Sequence, residues 1–191
     1  GGLNLYDPNN ETFSHFIHDP EDPTSLVDDN IIRLLVDRDG VLWVGTAKGL
    51  DRMKTQGVFE HFRHQEDKEN NTIPANVFAL AEGNGDDLWV GTLNGLERMN
   101  RTRETFKHYQ HLPKDPTSLP HNSVWAIYLD SNHQLWVASS GGLSRLTASG
   151  SRFENFDIKD GLPTNHVASI IEVNGSLWIG TANGISRFDM K

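Results

Sequence analysis

Four copies of one phrase constrain what this chain can fold into. Aligned on a Leu-Trp pair, they read DGVLWVGTAKGLDRM, GDDLWVGTLNGLERM, NHQLWVASSGGLSRL and NGSLWIGTANGISRF. Their tryptophans are Trp43, Trp89, Trp136 and Trp178, spaced by 46, 47 and 42 residues. A second phrase precedes each copy: DPTSLVDDNI, NNTIPANVF, DPTSLPHNSV and KDGLPTNHV. A third, FEHF, FKHY or FENF, follows three of them, and an earlier FSHF stands at 13–16. A repeat of this length is one supersecondary unit that cannot bury its apolar surface alone, so copies must stack.

Each unit holds four short runs, in the third copy VWAIYL, LWVAS, LSRL and FENF, rich in β-branched and aromatic residues. None is long enough for a helix, and no capping signal precedes a helical period. Turn chemistry separates the runs. Asn94-Gly95, Asn183-Gly184 and Gly141-Gly142 supply the positive φ angles of a tight two-residue hairpin, while Asp37 to Gly40 and Asp130 to Gln134 make the preceding turn. Four strands per roughly 40–45 residues is the spacing of β-propeller blades. The first strand, apolar at consecutive positions as in IIRLLV, is expected innermost and buried on both faces. The Trp of the second strand is expected to pack between blades.

The expected fold is therefore all-β: a β-propeller of four-stranded antiparallel blades, about four of them, forming one fragment of a larger propeller over 1–191. Residues 1–18 are the last two strands of a preceding blade, because GGLNLYD aligns with GGLSRLT. Full blades are expected at 29–64, 76–111 and 122–158, with three strands of a final blade at 165–191. That makes seventeen strands, one more than a closed four-blade ring. Open edges of this kind invite pairing, so self-association through them is expected.

Composition narrows the function. The net charge of −9 disfavours nucleic acid and anionic membranes, which would repel the chain. With no cysteine, disulfides, thiolate metal sites and cysteine nucleophiles are excluded. No apolar run approaches the roughly 18 residues of a membrane span, so this stretch is not expected to insert directly. Lacking an initiator Met, it reads as a piece of something longer, and no cofactor or metal is expected.

The phrase GTAKG invites comparison with a phosphate loop. Such a loop needs GxxxxGK[ST] ahead of a helix, whereas here Leu50, Asp51 and Arg52 of another strand follow the second glycine. Three histidine pairs, His15/His18, His61/His64 and His108/His111, stand three apart. On a strand that spacing sends the rings to opposite faces, so they are expected as exposed, non-ligand residues. Arg52, Arg98, Arg145 and Arg187 occur once per unit, which spreads them around the ring. A structural role beside acids such as Asp51 and Glu97 is expected for them. No Ser-His-Asp set or isolated carboxylate pair can be named.

Residues equivalent in every unit answer to the scaffold, so specificity is expected where units differ. The loops leading into the innermost strands and the hairpins between second and third strands share one face. There the chain offers Asp28, His121 and Thr164 in the loops, and Lys48 and Asn94 in the hairpins. Trp125 stands where Ile32, Ala79 and Ala168 are aligned, and Arg33 is opposed by Leu80, Ala126 and Ser169. The candidate ligand-binding set is thus Arg33, Lys48, Asn94, His121 and Trp125. An exposed Trp125 can stack on a sugar or aromatic ligand; the plainer reading is that it fills a wide gap between blades.

These phrases resemble the two-component regulator propeller repeat, whose pattern is close to Leu-Pro-x-Asn, an apolar strand, an Asp-x-x-Gly turn, Leu-Trp-Ile/Val-Gly-Thr and Gly-Leu. LPHNSVWAIYLDSNHQLWVASSGGL follows it nearly throughout, with Ala138 and Ser139 replacing Gly-Thr. Asp29 departs from the expected Asn, and Glu172-Val173 lacks the usual Asp. The resemblance implies the periplasmic or extracytoplasmic sensor region of a membrane-anchored hybrid histidine kinase or related signalling protein. It implies a small-molecule or oligosaccharide signal and no catalysis by this stretch. The alternatives are a protein-interaction or dimerisation scaffold and, with less support, a propeller lyase.

Overall fold

The computed structural model describes residues 1–62, 76–102 and 104–190. Among them are seventeen strands and one short 3-10 turn, Ile158–Asp160. Strands β1 (Leu3–Asp7) and β2 (Thr12–Phe16) form a pair. The first four-stranded meander is β3 (Ile31–Val36), β4 (Leu42–Thr46), β5 (Leu50–Thr55) and β6 (Val58–Phe62). The second is β7 (Ala79–Glu82), β8 (Asp87–Thr92), β9 (Gly95–Asn100) and β10 (Thr105–Tyr109). The third is β11 (Val124–Leu129), β12 (Leu135–Ser139), β13 (Gly142–Leu146) and β14 (Phe153–Phe156). The last sheet holds three strands, β15 (Val167–Val173), β16 (Ser176–Thr181) and β17 (Gly184–Asp189). The chain is an all-β propeller of about four blades. It divides into two compact units, Gly1–Val77 and Phe78–Lys191.

In the second unit β11 adjoins both β7 and β15, so the first strand of each blade is the inner one. The expectation that these strands are buried on both faces needs correcting. β11 is mostly half-buried and β15 mostly exposed, whereas every residue of β8 and β12 is buried. The second strand is the one covered by the adjacent blade, as β8 is by β11 and β12 by β15. In the first unit β3 likewise exposes Leu34 and Val36.

The core is a series of seams. Between the second and third blades Trp89, Leu96 and Tyr109 meet Val124, Leu135 and Phe153. Between the third and last, Trp136, Ala138 and Leu143 meet Val167, Leu177 and Ile179. Trp89 and Trp136 pack between blades, as the repeat predicts. Each fully buried large apolar side chain contributes about 1.5–3 kcal/mol, so the seams are a main source of the fold's stability. In the first unit Leu3, Leu26, Val44 and Phe59 form the equivalent cluster.

The recurring Gly-Thr-x-x-Gly phrase locks a hairpin. Thr92 donates its hydroxyl to the Gly95 carbonyl at 3.1 Å and accepts the Asn94 N–H at 3.0 Å. Thr46, Ser139 and Thr181 make the same bonds to Gly49, Gly142 and Gly184. The pairing Thr92↔Gly95 leaves Leu93 and Asn94 as the two turn residues. Asn-Gly is therefore not the positive-φ pair of a tight turn: only Gly95, the first residue of β9, has positive φ, at 128°. Its glycine is required by close approach, since a Cβ there would lie 2.4 Å from the Tyr109 carbonyl oxygen.

Asp29 is explained by the bond it makes. Its Oδ1 accepts the His18 N–H at 2.7 Å, as Asn122 Oδ1 accepts that of His111 at 2.7 Å and Asn165 Oδ1 that of Ile158 at 3.0 Å. The position needs only a side-chain acceptor, which Asp supplies as well as Asn.

Candidate functional site

Most of the polar side chains singled out by the repeat serve the scaffold. Arg52 binds Glu60 through Nε at 2.9 Å, and Arg145 binds Glu154 likewise at 3.0 Å. Both guanidinium groups also lie over their blade's Trp. The expected neighbours Asp51 and Glu97 are not the partners. Asp51, fully buried, is bonded to His61 Nδ1 at 2.8 Å and accepts the Val27 N–H at 2.9 Å, while Glu97 pairs with His108. Adjacent strand residues face opposite ways, so Asp51 and Arg52 cannot share a partner.

The histidines are correspondingly less free than expected. His61 Nε2 reaches the Pro23 carbonyl at 2.9 Å, clamping the incoming loop onto its own blade. Asn155 does the same job in the third blade, binding the carbonyls of Pro116 at 3.0 Å and Ser118 at 2.8 Å. His18 and His111 bond the Leu26 and Leu119 carbonyls through Nδ1. His64 lies outside the described residues. Among those described, no group of three or more His, Asp or Glu side chains is arranged to hold a metal.

The inner strands carry the feature that turns side chains outward. β11 pairs Val124 with Ser139 and Ala126 with Ala138, so Trp125 is an unpaired bulge residue. Ala168 and Ile32 occupy the same bulge in their strands. In the second blade Ala79 pairs with Gly91, which puts Phe78, not Ala79, at Trp125's position and Ala79, not Leu80, at Arg33's. The alignment above was one residue out there. Val77 and Val124 are the true equivalents: each is wedged onto a second-strand glycine, where a Cβ on Gly45 or Gly91 would come within 2.6 Å.

Trp125 and the residue at the equivalent position of the second blade, Phe78, are both aromatic, and they touch. Trp125 and Phe78 meet edge to face with centroids 4.9 Å apart. His166, from the loop leading into β15, has its ring centroid 5.6 Å from that of Trp125. The indole N–H donates to Ser140 Oγ at 2.9 Å, fixing the ring against its own hairpin. Trp125 is half-buried, His166 exposed. The candidates missed from sequence are Phe78, Ser140 and His166. The shared Val before each aromatic, NVF beside SVW, was the signal that would have found Phe78.

The other expected site residues are placed as follows. In the first unit Arg33 is exposed on β3, and Lys48 pairs with Asp28 at 2.9 Å. Burial raises the Asp28 carboxyl, but the Lys48 ammonium and the Asn30 N–H outweigh it and hold it below the usual carboxylate range. In the second unit Asn94 and His121 are both exposed; the Asn94 carbonyl accepts from Gln110 and His121 Nδ1 accepts the Ser123 N–H. Among the described residues the bonds of Asn94 and His121 run to Thr92, Gln110 and Ser123, and that of the Trp125 indole to Ser140.

Blades stacked through a repeated Trp, with an aromatic pair at equivalent positions of two blades, define a repeat-built β-propeller. Residues 25–48 and 118–141 match the pattern of the two component regulator propeller. The chain is similar over 99% of its length to the extracellular domain assigned to the hybrid two component system BT3049 of B. thetaiotaomicron, at 26% identity and a TM-score of 0.81. It is also similar over 98% of its length to the extracellular domain assigned to BT4673 of the same organism, at 26% identity and a TM-score of 0.53. It spans 24% and 26% of those two chains, about a quarter of each. Virginiamycin B lyase from Staphylococcus aureus shares the fold at 18% identity and a TM-score of 0.63, over 97% of this chain and 62% of the lyase. No curated protein matches the chain.

Proposed function

We propose that this chain is a signal-receiving part of an extracytoplasmic propeller from a two-component regulator, and that it acts by binding, not catalysis. The observation that carries this reading is the conjunction of regulator-propeller repeats with likeness, across 99% of the chain, to the extracellular domain of a hybrid two component system. A periplasmic setting rests on the same likeness. No helix among the described residues is long and apolar enough to cross a membrane. The lyase likeness supports the fold alone.

The aromatic platform of Phe78, Trp125 and His166 is the proposed contact in the second unit. An oligosaccharide suits it: the CH-rich face of a sugar ring stacks on an aromatic, and hydroxyls take hydrogen bonds from the rim. Asn94 and His121 are the rim residues proposed there. Arg33 and Lys48 are the candidates of the first unit, and Lys48 is available only to a ligand that displaces Asp28 from it. The test is a thermal-shift and glycan-array screen of the chain, with Trp125→Ala and Trp125→Phe alongside. Stabilisation by a glycan, lost in the Ala variant and partly kept in the Phe variant, is the expected result. A folded chain unmoved by every glycan would sink the oligosaccharide reading.

A second reading, self-association, is favoured by one observation. Among the described residues no strand pairs with the free side of β17, where Ile185 is 64% exposed. Light scattering should then show a mass that rises with concentration; a strict monomer at high concentration would rule it out.

A further inference from the structure

Two seams of the second unit are built alike but differ at the strand ends opposite the hairpins. Where the third and last blades meet, Phe188 packs edge-on against Trp136 and Phe156, each at 5.3 Å. The turns there are tied together, because Glu172 accepts the Ser131 N–H at 2.7 Å and its hydroxyl at 2.6 Å. Where the second and third blades meet, the residue following the blade's Arg is Leu146 instead of the bulkier Phe188. Asp130, six residues before its Trp as Glu172 is, is already bonded to the Trp136 indole. The seam therefore stays open, as a cleft of about 340 Å³ walled by Asp87, Trp89, Arg98, His133, Gln134 and Leu146.

The second blade is also rewired around its arginine. In the first and third blades the residue opposite the Arg is an acid, Glu60 or Glu154; opposite Arg98 it is Lys107. Arg98 turns instead to Asp87, and both Nε, at 2.8 Å, and Nη2, at 2.5 Å, converge on the single oxygen Oδ2. Gly83 stands where the first and third blades have the turn aspartate. A Cβ there would come within 2.6 Å of Trp89 Nε1 and 2.8 Å of Asp87 Cβ, so glycine is what lets Asp87 take up this position. Lys107 bonds through Nζ at 2.8 Å to the carbonyl of Gly150, a residue of the cleft wall. Arg98 and Asp87 thus line the cleft, with Lys107 bonded to its wall, in a chain whose net charge is −9.

We propose that this cleft binds a small organic carboxylate. The acid group is received by the Arg98 guanidinium and the Lys107 ammonium, and a ring or short chain lies along Trp89 and Leu146. Charge-assisted bonds from Arg are the strong ones for planar carboxylates, and a volume near 300 Å³ is the lower range for small-molecule sites. The site lies at the opposite end of the strands from Trp125 and does not depend on the aromatic platform.

Calorimetric titration of the chain with two matched pairs tests it: benzoate against benzyl alcohol, and glucuronate against glucose. At least one acid is expected to bind ten times or more tightly than its uncharged partner. That binding is expected to be lost in Arg98→Met and in Lys107→Glu, and kept in Trp125→Ala. Lys107→Glu restores the Arg–Glu pairing of the first and third blades, so its fold is expected to survive. Equal binding within both pairs, no binding of either acid, or acid binding that persists in Lys107→Glu would each overturn the proposal.

Discussion

The indole N–H of Trp43 donates to Asp37 Oδ2 at 2.8 Å, and Trp136 donates to Asp130 Oδ2 at the same distance. In each case Oδ1 accepts two turn N–H groups, those of Asp39 and Val41 or of Asn132 and Gln134. One buried carboxylate thus closes the turn and anchors the seam tryptophan. Asp130→Ala leaves a buried indole N–H and two turn donors without their acceptor, and is expected to cost about 2–3 kcal/mol. Asp130→Asn keeps one acceptor oxygen and should cost less. Urea unfolding of both variants checks the order; equal and small losses would refute the anchoring role.

The third and fourth strands carry a bonded cross-strand pair whose composition differs between blades. It is Asp51 with His61 in the first blade and Ser144 with Asn155 in the third, joined at 2.8 and 2.7 Å. His61→Ala strands a buried carboxylate and is expected to destabilise by about 3 kcal/mol. The double variant Asp51→Ser, His61→Asn should recover most of that loss, measured by chemical denaturation. Strict additivity of the two single losses would show that the pairing does not matter.

Close approach and backbone conformation separate at two glycines. Gly142 has φ 132° with the Phe156 carbonyl 2.3 Å from an added Cβ, whereas Gly40 has φ 78° and open space around it. Gly40→Ala is expected to cost about 1 kcal/mol, the conformational price alone. Gly142→Ala must also push β14 away and should cost clearly more. Thermal melts of the two variants decide it, and equal shifts would remove steric contact as the cause.

Glu97 is 1% exposed, and burial pushes its carboxyl up to about 7, with His108 opposing the shift. The folded chain therefore holds this proton more tightly than the unfolded chain. Its contribution to stability is full below pH 4.5, falls as pH rises towards 7, and is level beyond. The change is on the order of 3 kcal/mol. Glu97→Gln should flatten the stability profile between those limits; an unchanged slope would assign it to other groups.

Much of the fold was legible because its signals are local. The Trp spacing and the short β-rich runs fall on the strands among the described residues, and GGLNLYD holds β1, which pairs with β2. The candidate site was only half legible. Trp125 stood out as the odd residue among the repeats, but Phe78 was hidden by an alignment one residue out. Strand ladders and the wedging of Val77 onto Gly45 set that register, and neither is encoded in a run of apolar letters.

By itself the sequence determined the order of strands, the turns between them and the seam tryptophans, since each depends on residues a few positions apart. Only the tertiary structure decided which polar groups meet. Asp51 and Arg52 are neighbours in the chain, yet one bonds to His61 and the other to Glu60. Alternation along a strand sends them to opposite faces, and the register of the next strand supplies a different partner to each. The same register brings Lys107 opposite Arg98, where the first and third blades place an acid.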